Sequence, residues 1–128
     1  MKSCFCTGVF PPEGMEEAVA RLADLGYDGV EFWDQYLKTA DVPALADVCR
    51  SRAVEVLQIC PYFDFTGSHE AWEGSIRTAE RYVGWARTLS CRHIRVFTGS
   101  VGSGAATPDQ RRAAVEGLRA ICRMGLSE

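Results

Sequence analysis

Apolar residues recur along the chain in two alternating patterns, short continuous runs and longer stretches with helical spacing. The short runs predict β-strands at residues 3–9, 29–33, 54–60 and 93–98. Each run is followed by a stretch whose apolar residues recur every three or four positions, which predicts a helix on one side of the strands. The order βαβαβαβα is typical of a parallel sheet with right-handed crossovers.

Several residues mark where these helices begin and end. Thr107 is the predicted N-cap of the last helix, Pro108 takes its first helical position, and Gln110 completes a capping box. Asp41 is a suitable N-cap for the second helix. We expect Gly26 to end the first helix in the left-handed conformation.

An open doubly wound sheet and a barrel share this strand order. No GxGxxG motif follows the first predicted strand, which disfavours a dinucleotide-binding sheet. Strict alternation gives each later strand one aliphatic face and one face with a polar side chain, namely Glu31, Gln58 and Arg95. Helices cover both faces of a doubly wound sheet, so a polar row fits a barrel interior better. We therefore predict an α/β, TIM-barrel-like fold.

The chain has 128 residues, enough for four βα units. A complete (β/α)8 barrel needs about 250 residues. We therefore expect residues 1–128 to form one domain, a truncated half-barrel that corresponds to the N-terminal half of such a barrel.

Charge and composition exclude some functions. The formal net charge is -3 without a basic stripe, so nucleic acid is not an expected partner. No apolar run approaches the roughly 18 residues of a membrane span. We recognise no signal peptide, and the six cysteines form no CxxC pair. We interpret the cysteines as buried small hydrophobes in a reducing compartment and expect a cytoplasmic protein.

Parallel α/β folds bind ligands beyond the carboxyl ends of their strands. In this chain those positions combine polar and aromatic side chains, a combination that suits sugars. The candidate substrate-binding residues are Cys6, Glu31, Trp33, Tyr62, Asp64, Arg95 and Thr98. Trp33, Tyr62 and Phe63 have an alternative role as a cap on the end of the core.

Glu31 and Arg95 are expected to approach each other on the inner face, beside Gln58. The pair has two possible roles: a structural ion pair or a pair that orients a sugar hydroxyl or phosphate.

Three segments resemble the sugar-phosphate isomerases and epimerases of the xylose isomerase-like TIM barrel family. They are GYDGVE at 26–31, PYFDFTG at 61–67 and HIRVFTG at 93–99. The resemblance implies a barrel enzyme in which a divalent metal (Mn, Mg or Co) and two carboxylates move a proton next to a carbonyl. It also implies metal ligands on later strands, so we assign no catalytic residue and no metal ligand here. We expect the chain alone to be inactive and to self-associate through open sheet edges.

Two other functions remain open. An apurinic-site nuclease similar to endonuclease IV shares the barrel, but it would need metal-binding histidines where this chain has Tyr62 and Thr98. A half-barrel that acts only as an assembly module is the non-enzymatic alternative. We interpret the Gly-rich residues 99–104 as a connector in preference to a phosphate cradle.

Overall fold

A computed structural model describes residues 2–11 and 14–126 of the chain. Three parallel strands form a sheet in the order β1 (Cys4–Cys6), β2 (Gly29–Trp33) and β3 (Glu55–Cys60). This confirms the predicted parallel order of the first three strands. Two compact units are present, residues 1–60 with 85–95 and residues 61–84 with 96–128. The sheet belongs to the first unit.

Helices follow the strands as the sequence predicts. Their bounds are α1 Met15–Asp24, α2 Asp34–Leu37, α3 Val42–Ser51, α4 His69–Thr88 and α5 Pro108–Leu126. The capping box of α5 is confirmed, because the Gln110 amide donates to Thr107 Oγ1 at 3.2 Å and the Thr107 amide donates to Gln110 Oε1 at 3.0 Å. Gly26 has φ +84°, as expected for a helix end. No helix in the described ranges is long and apolar enough to cross a membrane.

The first strand is shorter than predicted. β1 ends at Cys6, and Thr7–Val9 form a 3-10 turn. Thr7 is fully buried, and its hydroxyl donates to the Glu31 carbonyl at 2.9 Å. At this point β1 and β2 are therefore joined by a side-chain hydrogen bond and not by further backbone pairing. The four-residue helix α2 was not predicted. Its buried Tyr36 donates from the phenol to the Phe10 carbonyl at 2.7 Å.

The predicted fourth strand, residues 93–98, is wrong as a continuous element. The structure instead has two isolated parallel bridges, one between Ile59 and Ile94 and one between Tyr62 and Phe97. Pro61 lies between the bridged residues Ile59 and Tyr62 and has no backbone N–H. The missing donor interrupts a continuous ladder there.

Each unit has its own apolar core. In the first unit, Val30, Phe32 and Ile59 are completely inaccessible to solvent, as the alternation predicts for the aliphatic face. In the second unit, Phe63 and Phe65 pack with Ala79 of α4 and Ile121 of α5. The half-buried ring of Trp72 extends that cluster and donates from Nε1 to the Ala113 carbonyl at 3.1 Å.

The cysteines are divided between the core and the surface, which corrects the expectation that all six are buried. Cys49, Cys60 and Cys91 are buried, whereas Cys4, Cys6 and Cys122 are exposed. Burial raises the pKa of the Cys49 thiol to about 11, so its reactive thiolate is scarce near neutral pH.

This division predicts the order of thiol alkylation. With iodoacetamide at pH 8, we expect Cys6 and Cys122 to be modified in the folded chain, because both are exposed. Cys49 and Cys91 should react only after denaturant is added, since burial raises the pKa of both thiols and excludes the reagent. Mass spectrometry of tryptic peptides measures both groups. Rapid modification of Cys49 in the folded chain would contradict the buried position.

Candidate active site

The first unit places candidate residues of neighbouring strands side by side in the sheet. Cys6 of β1 lies opposite Glu31 of β2, and Glu31 lies opposite Gln58 of β3. The register shifts between Val30 and Glu31, so Leu57 is an extra residue in β3. This bulge aligns Gln58 with Glu31. The polar side chains of three strands therefore occur at the same level of the sheet.

Glu31 and Arg95 meet in the first unit, which confirms that they approach each other. Arg95 Nη1 lies 3.6 Å from Glu31 Oε1, within ion-pair distance. The Glu31 side chain is only 15% exposed, while that of Arg95 is 47% exposed. Among the described residues, Glu31 Oε1 is buried and accepts no hydrogen bond. The carboxylate therefore keeps unused acceptor capacity beside a cation.

Arg95 is held at its other end by Cys60. Its Nε donates to Cys60 Sγ at 3.2 Å, and its backbone amide donates to the Ile59 carbonyl at 2.9 Å. Burial raises the pKa of the Cys60 thiol, and the bond from Arg95 offsets only part of that effect. Cys60 therefore stays a neutral acceptor that fixes the guanidinium, and the charge of Arg95 remains available to Glu31.

Trp33 and Cys6 differ in how their side chains are placed. The Trp33 ring packs on the turn after β1, since a Cβ at Gly8 would lie 3.0 Å from ring atom Cε3. This contact favours the alternative in which Trp33 covers the end of the core. Cys6 is exposed and is paired with Glu31 in the sheet register.

In the second unit, Tyr62 and Phe97 stack on each other. Their ring centroids are 4.9 Å apart and the ring planes differ by 4°. Both rings are accessible, Tyr62 at 47% and Phe97 at 42%. The adjacent Phe63 and Phe65 are buried in the core, so alternation places the stacked pair on the opposite face.

Asp64 and Thr98 take part in the loops that follow these segments. Asp64 Oδ1 accepts bonds from the Thr66 amide and hydroxyl, both at 3.2 Å, and the Thr98 carbonyl accepts the Phe65 amide at 2.9 Å. A Cβ at Gly99 would lie 2.0 Å from Thr66 Oγ1. The first glycine of the 99–104 run is thus required by its close approach to Thr66.

A family model described as the xylose isomerase-like TIM barrel matches residues 19–125. The chain belongs to this family. The family assignment agrees with the partial α/β barrel in the structure and with the resemblance of the three segments. No curated protein sequence matches the chain significantly.

Solved structures of similar fold include several barrel proteins. Three of them are a probable 3-DHS dehydratase, AsbF, from Bacillus anthracis (21% identity, TM-score 0.77), the 3-keto-D-glucoside 4-epimerase YcjR from E. coli (20%, 0.72), and the IolI protein with a zinc atom (16%, 0.69). The alignments cover 98%, 98% and 99% of this chain and 48%, 53% and 50% of those chains. The chain thus spans about half the length of each. At these identities the likeness shows the fold.

The divalent metal implied by the family has no fitting set of ligands in the described part of this chain. No group of three His, Cys, Asp or Glu side chains there is arranged to hold a metal ion. Glu31, the carboxylate with unused acceptor capacity, forms an ion pair with Arg95. It does not belong to a group of metal-binding side chains within the described ranges. The described side chains around Glu31 therefore offer the charge of Arg95 and an open acceptor oxygen, but no set of metal ligands.

Proposed function

We propose that the chain is part of a sugar or sugar-phosphate isomerase or epimerase, an enzyme that moves a proton on a carbon next to a carbonyl. The observation that carries the proposal is the Glu31 carboxylate in the middle of β2, whose buried Oε1 accepts no hydrogen bond within the described chain and lies beside Arg95. An unsatisfied buried acceptor costs free energy on folding, which makes this carboxylate a candidate for a role in binding or chemistry. Among the similar structures, an epimerase of a keto-glucoside supports this substrate class.

In the proposed site, Glu31 and Arg95 orient a sugar hydroxyl next to the reacting carbon. A hydroxyl that donates to Glu31 Oε1 would supply the hydrogen bond that this oxygen lacks. A modest displacement of the Arg95 guanidinium would admit it, and the half-exposed side chain leaves room for such a movement. Arg95 would then donate to the same sugar oxygen and stabilise negative charge on it. The remaining candidates stay proposed substrate-binding residues, each within its own unit: Cys6 and Trp33 in the first unit with Glu31, and Tyr62, Asp64 and Thr98 in the second.

A divalent metal (Mn, Mg or Co) belongs to the proposal for the longer enzyme. One similar structure contains zinc, which is consistent with metal binding in proteins of this fold. We assign the ligands to residues other than those described here, since the described residues do not form a metal site. For the 128-residue chain alone we therefore expect no turnover.

The test measures proton exchange with solvent. We expect the protein, produced with any coding sequence that continues its reading frame, to exchange the proton next to the carbonyl of at least one sugar or sugar phosphate in D2O with Mn²⁺, Mg²⁺ or Co²⁺. Glu31→Gln should lower the exchange rate at least about tenfold, because a neutral amide is a weaker acceptor for the sugar hydroxyl than a carboxylate. Proton NMR follows the loss of the signal.

Glu80→Gln provides the matched control, since Glu80 is an exposed carboxylate on α4. It should leave the exchange rate and the melting temperature unchanged. An unchanged rate in Glu31→Gln, or no exchange with any ketose, aldose or phosphate of either, would contradict the proposal. A lost rate together with a large fall in melting temperature would assign Glu31 to stability.

A further inference from the structure

Tyr62 and Phe97 stack on each other in the second unit and are termed here the ring pair. Each ring covers one face of the other, so the accessible surface of the pair consists of its outer faces and edges. The planes are 4° apart, and each ring keeps more than two fifths of its surface accessible, at 47% and 42%. Aromatic rings stabilise the folded state most when they are buried. Two accessible rings in a fixed mutual geometry are more typical of a binding surface.

The backbone fixes the ring pair. Tyr62 and Phe97 form a parallel bridge, and the Phe63 amide donates to the Phe97 carbonyl at 3.2 Å. Phe63 and Phe65 on the opposite face are 4% and 1% exposed and hold the same segment against α4 and α5. The rings therefore cannot turn into this core without breaking both the bridge and the packing. Their orientation is set before any ligand arrives.

The position of the ring pair is one where ligands bind in this fold. Tyr62 follows the carboxyl end of β3 by two residues, and parallel barrels bind ligands beyond the carboxyl ends of their strands. The face of an aromatic ring carries negative charge density, so it attracts C–H bonds that are polarised by neighbouring oxygens. A sugar in its ring form presents several such C–H bonds on one flat side, whereas an open-chain polyol presents no flat side.

We propose that an outer face of the ring pair stacks against the C–H face of a sugar in its cyclic form, with Phe97 as a specificity-determining residue. The ligand class rests on the proposed function, whereas the binding surface rests on the geometry of Tyr62 and Phe97 alone. The ring pair would select cyclic over open-chain forms of the sugar.

Saturation-transfer NMR of the 128-residue chain tests this directly, with methyl β-D-glucopyranoside as a locked cyclic probe and D-mannitol as an open-chain probe. Irradiation of aromatic protons should transfer saturation most strongly to H1, H3 and H5 of the glucoside, which share one face of its ring. Mannitol should receive little. Phe97→Ala should lower the transfer about five- to tenfold, since one of two stacked rings is lost.

Matched variants keep the result interpretable. Tyr62→Phe retains the stack and should retain the transfer, and Val115→Ala, at an exposed apolar residue of α5, should have no effect. Phe97→Leu keeps an apolar side chain without a ring, so a folded Phe97→Leu protein that loses transfer supports the proposal even if Phe97→Ala does not fold. Equal transfer in Phe97→Leu and the unmodified chain, or equal transfer to mannitol and glucoside, overturns it.

Light scattering and proton exchange distinguish sugar binding by the ring pair from self-association and from turnover at Glu31. If Phe97→Leu abolishes self-association in light scattering while the glucoside never receives saturation, the ring pair binds a second copy of the chain and the proposal fails. Because the NMR experiment measures binding without turnover, its failure leaves the exchange test of Glu31 unaffected. Loss of proton exchange in Glu31→Gln with intact saturation transfer supports both proposals independently.

Discussion

Replacing Arg95 by methionine should destabilise the chain by about 2 kcal/mol, because it leaves the Glu31 carboxylate buried without its cation. The full cost of breaking a buried pair is larger, about 3–5 kcal/mol, but Arg95 is half exposed and solvent screens part of the interaction. Urea unfolding measures the change as a shift in midpoint at constant slope. The expected loss is a substantial fraction of the stability of a small domain.

A double-mutant cycle assigns this loss to charge. Glu31→Gln alone should change stability by less than about 0.5 kcal/mol, since it removes the buried charge and leaves Arg95 in contact with solvent. Adding Glu31→Gln to Arg95→Met should restore most of the lost stability. If the double variant is as unstable as Arg95→Met, the loss arises from the packing of Arg95 against Cys60 and not from the buried charge of Glu31.

Arg52→Met is the matched control for the effect of burial. Arg52 Nη1 lies 3.0 Å from Asp24 Oδ1, closer than the Arg95–Glu31 pair, but the side chains are 46% and 65% exposed. Exposed pairs contribute about 0–1 kcal/mol. We therefore expect the shorter ion pair to matter less, because the exposure of the carboxylate and not the distance decides the energy.

Local signals in the sequence predicted the parts of the fold that depend on neighbouring residues. The capping box of Thr107 and Gln110, the cap at Asp41 and the left-handed Gly26 are all confirmed. Each of these features depends on residues within four positions of one another. Such features can therefore be predicted from the local sequence without knowledge of the tertiary structure.

Features that depend on distant partners were predicted less well. The continuity of strand four depends on donors from the preceding strand, and Pro61 supplies none. The register shift at Leu57 and the helix Asp34–Leu37 depend on how the strands and Tyr36 pack after folding. Periodicity within a single segment carries no information about either.

The candidate site shows the same division. Side chains alternate between the two faces of a strand, which predicted Glu31 and Arg95 on the same face. In the structure Arg95 Nη1 lies 3.6 Å from Glu31 Oε1. The stacking of Tyr62 on Phe97 was not predicted, since it requires the two segments to be in register. The internal bonds of Asp64 had a recognisable signal in the Asp-Phe-Thr-Gly order, because Asp side chains often bond the amide two residues later.

Replacing Gly117 by alanine should have the opposite effect on stability to that usually seen for a glycine within a helix. Replacing a helical glycine by alanine ordinarily stabilises a protein by up to about 1 kcal/mol, through lower backbone entropy in the unfolded chain. Gly117 lies inside α5, and a Cβ there would come within 2.5 Å of ring carbons of Phe65. We therefore expect Gly117→Ala to destabilise the chain by about 1–3 kcal/mol, the usual cost of overpacking a core.

Two properties of Phe65 decide the sign of this effect. The ring is only 1% exposed and is enclosed by Phe63, Trp72 and α5, so it has no open space into which to retreat. A planar ring also cannot shorten itself as a flexible side chain can. Gly84 of α4 is the matched control, because a Cβ there meets no atom within 4 Å and Gly84→Ala should stabilise. Thermal unfolding should thus show opposite shifts, each about 3–5 °C per kcal/mol for a chain of this size. A rise in melting temperature for both variants would mean that α5 moves away from Phe65 at little cost, and the close packing of that core would then not be a determinant of stability.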